Sequence, residues 1–334
     1  MTTTNRPPRQ RRPTGNGAER KTLMKAWQFV EQGEPLTLND VQEPTAGPDD
    51  VIIDVKAAGI CHSDVGYLNG TLTPVLAFHP ITLGHEIAGV VSAIGENVDT
   101  FAVGDRVVVP AKVEGAGTSL NGGFAPKVSS PAAYVIPLPD GVDWDQAAAA
   151  TDAGMTSYHA AITRGGVTAG TKVGIIGFGG LGSLGAQAAL AVGAEVYVAE
   201  TNETVHDFAR QLGVAAVSTD IADFSDKGLD VIIDYAGFGT TTAAAILAVK
   251  PGGRVVQVGL GVAEATIPLL QLVLKSVDLV GSVAGSNEDC AAVLDLIAAG
   301  KLSSRVTHVA FDEIKDGVDR LDRGEVVGRL VAML

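Results

Sequence analysis

The chain has 334 residues, 46% of them hydrophobic, and a formal net charge of −14. That length and apolar content suffice for two domains of ordinary size, and the acidic balance argues against a nucleic-acid-binding surface. Two cysteines, Cys61 and Cys290, are too few for a disulfide scaffold and fit a reducing cytoplasm, while no apolar run reaches the ~18 residues that span a bilayer.

The first 22 residues are basic and Pro-rich, lack the apolar stretch of a secretory signal, and read as a disordered tail. From Leu23 to about Phe124, short apolar runs separated by Gly and Pro (Val51–Ala57, Ile87–Ile94, Arg106–Val109) predict the strands of an all-β or barrel-like unit, with one helix starting near His62. Near Gly141 the pattern changes. Asp145–Arg164 predicts one long Ala-rich helix. Strands at Lys172–Ile176, Glu195–Ala199, Leu229–Ile233, Arg254–Val258 and Val277–Gly281 then alternate with helices that include Gly180–Val192, Glu203–Leu212 and Asn287–Ala299. Such alternation implies a parallel sheet covered by helices on both faces. The last thirty residues return to strand and turn character. The 41 glycines exceed the usual ~7% and suggest many tight turns.

The strand at 172–176 runs into Gly177-Phe178-Gly179-Gly180-Leu181-Gly182, and a helix follows. This is G-x-G-x-x-G in the context that a dinucleotide site requires. The glycines allow a tight turn, close approach to a pyrophosphate and close helix–strand packing, and the helix N-terminus favours the anion. The next predicted strand ends at Glu200, where a carboxylate can accept hydrogen bonds from the ribose hydroxyls of NAD and repel a 2′-phosphate. No Arg or Lys lies in Thr201–Asp207, so NAD is expected rather than NADP.

The first half contains Gly59-Ile60-Cys61-His62-Ser63-Asp64 and, further on, Gly84-His85-Glu86-x-x-Gly89, continuing through Gly95 and Phe101 to Gly104-Asp105-Arg106-Val107. On these motifs the chain resembles the zinc-containing alcohol dehydrogenases of the medium-chain dehydrogenase/reductase superfamily, from about Leu23 to Leu334. The resemblance implies α/β plus β architecture: a GroES-like catalytic domain (23–148) and an inserted Rossmann cofactor domain with a doubly wound parallel sheet (149–300). A C-terminal segment (301–334) would rejoin the catalytic domain. It implies one catalytic zinc on Cys61, His85 and Asp152, the last standing in Asp152-Ala-Gly-Met-Thr156-Ser-Tyr158 where the family usually has cysteine. Glu86 and Asp64 would support the ligands from behind, Ser63 would contact the alcohol and Thr156 would lie near the nicotinamide. His62 would approach the pyrophosphate or sit exposed at a helix start. Arg329, in the closing G-x-x-x-G-R, would lie near the cofactor phosphates. Thiolate and carboxylate together neutralise Zn²⁺, and three protein ligands leave a fourth position open for water or alcohol.

Two departures stand out. The stretch 110–121 has no cysteine, so the structural zinc of many relatives is not expected. Gly66 occupies the position of the histidine that passes the proton to solvent in many relatives. The expected substrates are small alcohols, aldehydes or ketones, favoured to be hydrophobic by the apolar residues around Tyr67–His79, 113–124 and Leu260–Leu274, with Tyr67 and Phe78 among the walls. No nucleic-acid or membrane partner is expected, and relatives suggest a homodimer or homotetramer. Separately, Asp152 could be a helix cap, and His159, Cys290 and His79 structural or loop residues. The alternatives are a zinc-free quinone or enoyl reductase and a nucleotide-binding protein without catalysis.

Overall fold

The computed structural model describes residues 22–334, so the predicted tail lies, apart from Thr22, outside the described residues. The chain opens with strands β1 (Leu23–Phe29), β2 (Thr37–Gln42) and β3 (Asp50–Ile60), then helix α1 (His62–Asn69). Five strands follow: β4 (Ile81–Thr82), β5 (Glu86–Ile94), β6 (Arg106–Val109), β7 (Lys127–Pro131) and β8 (Ile136–Pro137). A helical passage contains α2 (Trp144–Ala149) and α3 (Met155–Tyr158). Next come β9 (Lys172–Ile176), α4 (Gly180–Ala191), β10 (Glu195–Ala199), α5 (His206–Gln211), β11 (Ala216–Ser218), β12 (Val231–Asp234), α6 (Thr240–Ala248), β13 (Arg254–Gln257), α7 (Leu269–Leu274), β14 (Asp278–Gly281) and α8 (Asn287–Ala298). The chain closes with β15 (Val306–Ala310), α9 (Ile314–Asp322) and β16 (Arg329–Met333).

The sheets bear out the expected two-part fold. The order β11-β10-β9-β12-β13-β14 is parallel throughout and reverses direction between β9 and β12. That reversal is the switch point where α/β sheets bind ligands at the carboxyl ends of their strands. Alternate residues of β9 and β12 enter separate cores: Val173, Ile175, Val231 and Ile233 on one face, Ile176 and Ile232 on the other. Both faces are therefore covered, which is why these strands read as continuous apolar runs. The other large sheet runs β15-β16-β3-β5-β6-β8, with β7 pairing β3. Its pairings are antiparallel except β15 with β16, and β16 brings the chain end beside β3, Leu330 opposite Ile60.

A third core joins the halves: Ala57, Ala88 and Val108 of the antiparallel sheet meet Ala147, Met155, Leu184, Val293 and Val331. The expected long helix 145–164 lies here, but it is not continuous. α2 passes into a π-helical segment Ala150–Gly154, regains α geometry in α3, and widens again at His159–Arg164. Periodicity of apolar residues cannot distinguish these widened turns from an α-helix. The helix predicted from Glu203 likewise begins as a 3₁₀ turn, Glu203–Val205.

A Cβ at Gly182 would run into the carbonyl oxygen of Gly177, so α4 packs onto the turn after β9 only because that side chain is absent. Gly182→Ala is expected to destabilise the protein by about 1–3 kcal/mol. Circular dichroism should record a drop in Tm of roughly 2–4 °C per kcal/mol; an unchanged Tm would mean that α4 shifts freely.

Candidate metal centre and cofactor crevice

β3 and β5 pair antiparallel with Gly59 opposite Glu86. This register places Cys61, just past the end of β3, beside His85, just before the start of β5. The Asp64 carboxylate fixes the turn into α1 by accepting from the Cys61 backbone N–H at 2.9 Å, the return bond of a capping box. Asp152 arrives from the π-helical turn on the other side. Its Oδ2 lies 3.1 Å from Cys61 Sγ and 3.5 Å from His85 Nε2. Donor atoms of Cys61, His85, Glu86 and Asp152 all fall within 4.8 Å of one another.

These separations fit a metal. Ligand bonds of about 2.0–2.3 Å in tetrahedral array set donors about 3.3–3.7 Å apart, and thiolate, imidazole and carboxylate are the donors zinc takes. His85 turns Nε2 to the cluster and Nδ1 to Asp64 Oδ1 at 3.7 Å, where Nδ1 has no hydrogen-bond partner. A carboxylate behind a ligating imidazole is the usual orienting arrangement. Asp152 Oδ1 is engaged separately, accepting from Thr156 Oγ1 at 2.9 Å. Asp152 thus bonds to the side chain at 156 and does not cap α3, whose N-cap is Gly154.

The electrostatics follow from burial. Burial alone would lower the His85 pKa, but the Asp64 charge, with Asp152 and Cys61 hydrogen bonds, holds it well above the ordinary value. Burial would raise Asp152, yet its bonds to His85 and Cys61 leave it below the usual carboxylate range. Asp64, fully enclosed, is pushed up by desolvation. Tyr67 stands edge-on to His85, with ring centroids 6.3 Å apart, and burial pushes its hydroxyl up to about 12.

Ser63 Oγ is 3.6 Å from Cys61 Sγ, at the mouth of the cluster. His62 is exposed as the first residue of α1. Gly66 leaves no cavity: a Cβ there would come within 2.9 Å of Leu72 Cδ1. The expected wall residue Phe78 is not brought to the cluster. It lines a separate hollow of about 440 Å³ with Met24, Val41 and Pro131. His159 bonds Asp289 at 2.7 Å, Cys290 is buried, and the His79 ring packs edge-on against Phe29, all in keeping with structural roles.

At the carboxyl edge of the parallel sheet, the turn Gly177–Gly182 lies at the switch point, Gly177 against Ala236 after β12. Glu200 closes this turn from the end of β10. Its Oε2 accepts from the Phe178 N–H at 2.6 Å and its Oε1 from Asn202 N–H at 2.7 Å. His206 Nε2 contacts the Glu200 carbonyl oxygen at 2.7 Å, a support that spacing along the sequence does not announce. Arg329 is buried against the start of α4, where a Cβ on Gly180 would lie 2.8 Å from its Cδ. It pairs with Glu86, and its Nε has no hydrogen-bond partner among the described residues. A buried cation with a spare donor at the N-terminus of a twelve-residue helix suits a phosphate.

The chain matches two families, described as "Alcohol dehydrogenase GroES-like domain" over residues 47–140 and "Zinc-binding dehydrogenase" over residues 180–299. It is 30% identical over 335 residues to an alcohol dehydrogenase of Geobacillus stearothermophilus, covering 92% of this chain and 99% of that protein. Among solved structures it is similar to acetophenone reductase from Geotrichum candidum in complex with NAD, with a TM-score of 0.84 and 30% identity over 93% of this chain and 97% of that one. The alcohol dehydrogenase of the archaeon Aeropyrum pernix is similar at TM-score 0.84 and 28% identity, over 93% of this chain and 100% of that one.

Because the raised His85 pKa makes proton loss from its ring part of any metal uptake, zinc affinity should climb with pH from below 6.5 to beyond it, with proton release. Chelator competition between pH 6 and 8 measures this, and a flat profile would contradict it.

Proposed function

We propose that this chain, which belongs to the zinc-containing alcohol dehydrogenases of the medium-chain dehydrogenase/reductase superfamily, holds one catalytic Zn²⁺ on Cys61, His85 and Asp152 and uses NAD to interconvert alcohols and carbonyl compounds. The observation that carries this reading is the convergence of the Cys61 thiol, the His85 imidazole and the Asp152 carboxylate from three distant segments, with Glu86 beside them, so that their donor atoms lie within 4.8 Å of one another. That convergence favours the metal enzyme over a zinc-free reductase. With only two cysteines in the chain, a second, cysteine-bound structural zinc is not part of the proposal.

When bound, zinc supplies a Lewis acid for the substrate oxygen and NAD a hydride acceptor. Asp64 orients His85, and Glu86 backs the cluster while its charge is balanced by Arg329. Ser63 Oγ, beside Cys61 Sγ, takes the proton from the substrate hydroxyl and passes it outward. Glu200 stands where the ribose hydroxyls of NAD would meet it and disfavours the 2′-phosphate of NADP; the NAD bound in acetophenone reductase is in keeping with this choice. The Gly177–Gly182 turn and Arg329 receive the pyrophosphate. Tyr67 gives the substrate side an aromatic wall, which suits hydrophobic alcohols and ketones. Two buried thiols suit a reducing cytoplasm, and among the described residues no helix is long and apolar enough to cross a membrane.

A second copy of the chain completes the proposal. β14 is the outer strand of the parallel sheet, and beside it α7 exposes Leu269, Leu270, Val273 and Leu274 by 63% or more each. An unpaired strand edge flanked by exposed leucines suits a self-complementary, two-fold contact.

Elemental analysis should find about one zinc per chain. Cys61→Ala and Asp152→Ala should lose zinc and turnover while still binding NAD; a zinc-free Cys61→Ala enzyme at full activity would defeat the reading. Leu270→Glu with Leu274→Glu should shift the protein to monomer in light scattering, and an unchanged mass would move the interface elsewhere.

A further inference from the structure

A carboxylate differs from a thiolate in one respect that matters at a metal: it has two donor atoms. Where it replaces a single-atom ligand, the second oxygen either joins the ion and crowds the open position, or something else must hold it. In Asp152 the two oxygens are divided. Oδ2 faces Cys61 Sγ at 3.1 Å and His85 Nε2 at 3.5 Å. Oδ1 accepts from Thr156 Oγ1 at 2.9 Å.

The local backbone explains why position 156 can reach. Asp152 lies in the π-helical turn Ala150–Gly154 and Thr156 in α3, four residues on. Helical side chains lean toward the N-terminus, so a residue meets its i−4 neighbour. A helical Thr can turn its hydroxyl to a backbone carbonyl one turn back; the buried Thr156 turns it instead to the Asp152 carboxylate. A buried hydroxyl gains more from a charged acceptor than from a neutral one.

We infer that Thr156 is a positioning residue that holds Asp152 as a one-oxygen ligand, leaving the fourth coordination position free for substrate. The inference rests on the metal site proposed above. It gives Thr156 a task at the ligand in addition to the place near the nicotinamide that the family resemblance implied, and it pairs that task with this chain's aspartate: a cysteine at 152 would have no second donor to restrain.

The test compares Thr156→Val, which keeps shape and removes the hydroxyl, with Thr156→Ser, which keeps the hydroxyl. The probe is Co²⁺ loaded into metal-free protein. The expected result is a 10–100-fold loss of Co²⁺ affinity in Thr156→Val by chelator competition, the usual scale for a lost orienting partner. Its visible d–d band should also weaken, as when coordination rises from four to five. Thr156→Ser should restore both. In an Asp152→Cys background, Thr156→Val should leave affinity and band unchanged, because the two effects are coupled through one hydrogen bond. An unchanged band and affinity for Thr156→Val in the native background would overturn the inference, as would an equal loss in both backgrounds. Failure of the native protein to take up Co²⁺ or Zn²⁺ at all would instead overturn the metal site itself.

Discussion

The buried pair of Glu86 and Arg329 ties together parts of the chain that lie far apart in sequence. Glu86 begins β5, behind His85, and is wholly enclosed; Arg329 begins β16 and is nearly so. An isolated charge in such surroundings is strongly disfavoured, so each of the two needs the other. Removing one partner of a pair like this typically costs about 3–5 kcal/mol. The pair forms only where the C-terminal strand has closed on β3, and β16 does pair there through Leu330 and Ile60. Because Arg329 also touches Gly180 at the start of α4, the same interaction spans the metal cluster and the proposed phosphate site. A metal ligand's neighbour and a cofactor's neighbour share one ion pair.

The cluster itself is built from elements of unequal stiffness. Cys61 and His85 stand at the ends of strands in the same sheet, and the capping bond from Asp64 fixes the first of them. Asp152 comes from a widened helical turn inside the core that joins the halves, next to Ala150 and Ala153. Widened turns of this kind are frequently found at functional sites. Here the turn carries the carboxylate into the space between the halves, beside Cys61 and His85.

Much of this was legible in the sequence because it depends on local rules. The alternation from Lys172 onward and the glycines from 177 to 182 each reflect a short-range requirement, and the parallel sheet followed from them, whereas Cys61 and His85 were joined in one site by the family resemblance. What was not legible depends on contacts across the fold or on helix geometry finer than apolar spacing. An Ala-rich run looks the same whether its hydrogen bonds close four or five residues back, so the interruption at Ala150–Gly154 left no trace. The Asp152–Thr156 spacing of four was visible, but only the bond between the buried hydroxyl and the half-buried carboxylate gives it meaning. Arg329 was placed with the cofactor by resemblance, and its partnership with Glu86, 243 positions away by subtraction, could not be read from either neighbourhood. Phe78 was assigned to the substrate wall by proximity in sequence to Tyr67, yet the turns after α1 carry it to another hollow.

Gly66 illustrates the difference between a missing side chain and a missing function. In sequence it looks like a vacancy where relatives keep a histidine. In the fold the place is taken: Leu72 packs over it, and the Leu72 N–H bonds the Gly66 carbonyl at 2.9 Å. An imidazole at 66 would have to displace a leucine that packs against the main core of the catalytic half. On the proposed reading, the apolar packing of Leu72, which neither accepts nor donates, therefore closes the route through position 66 to a proton handed on by Ser63. His62, four residues earlier and so on the same face of α1 as Gly66, is exposed, and on the proposed reading it would carry the proton out in place of a side chain at 66. Gly66 and the Leu72 that covers it thus go together: the first lies in the helix that positions Cys61, and the second closes over it from the turn that follows.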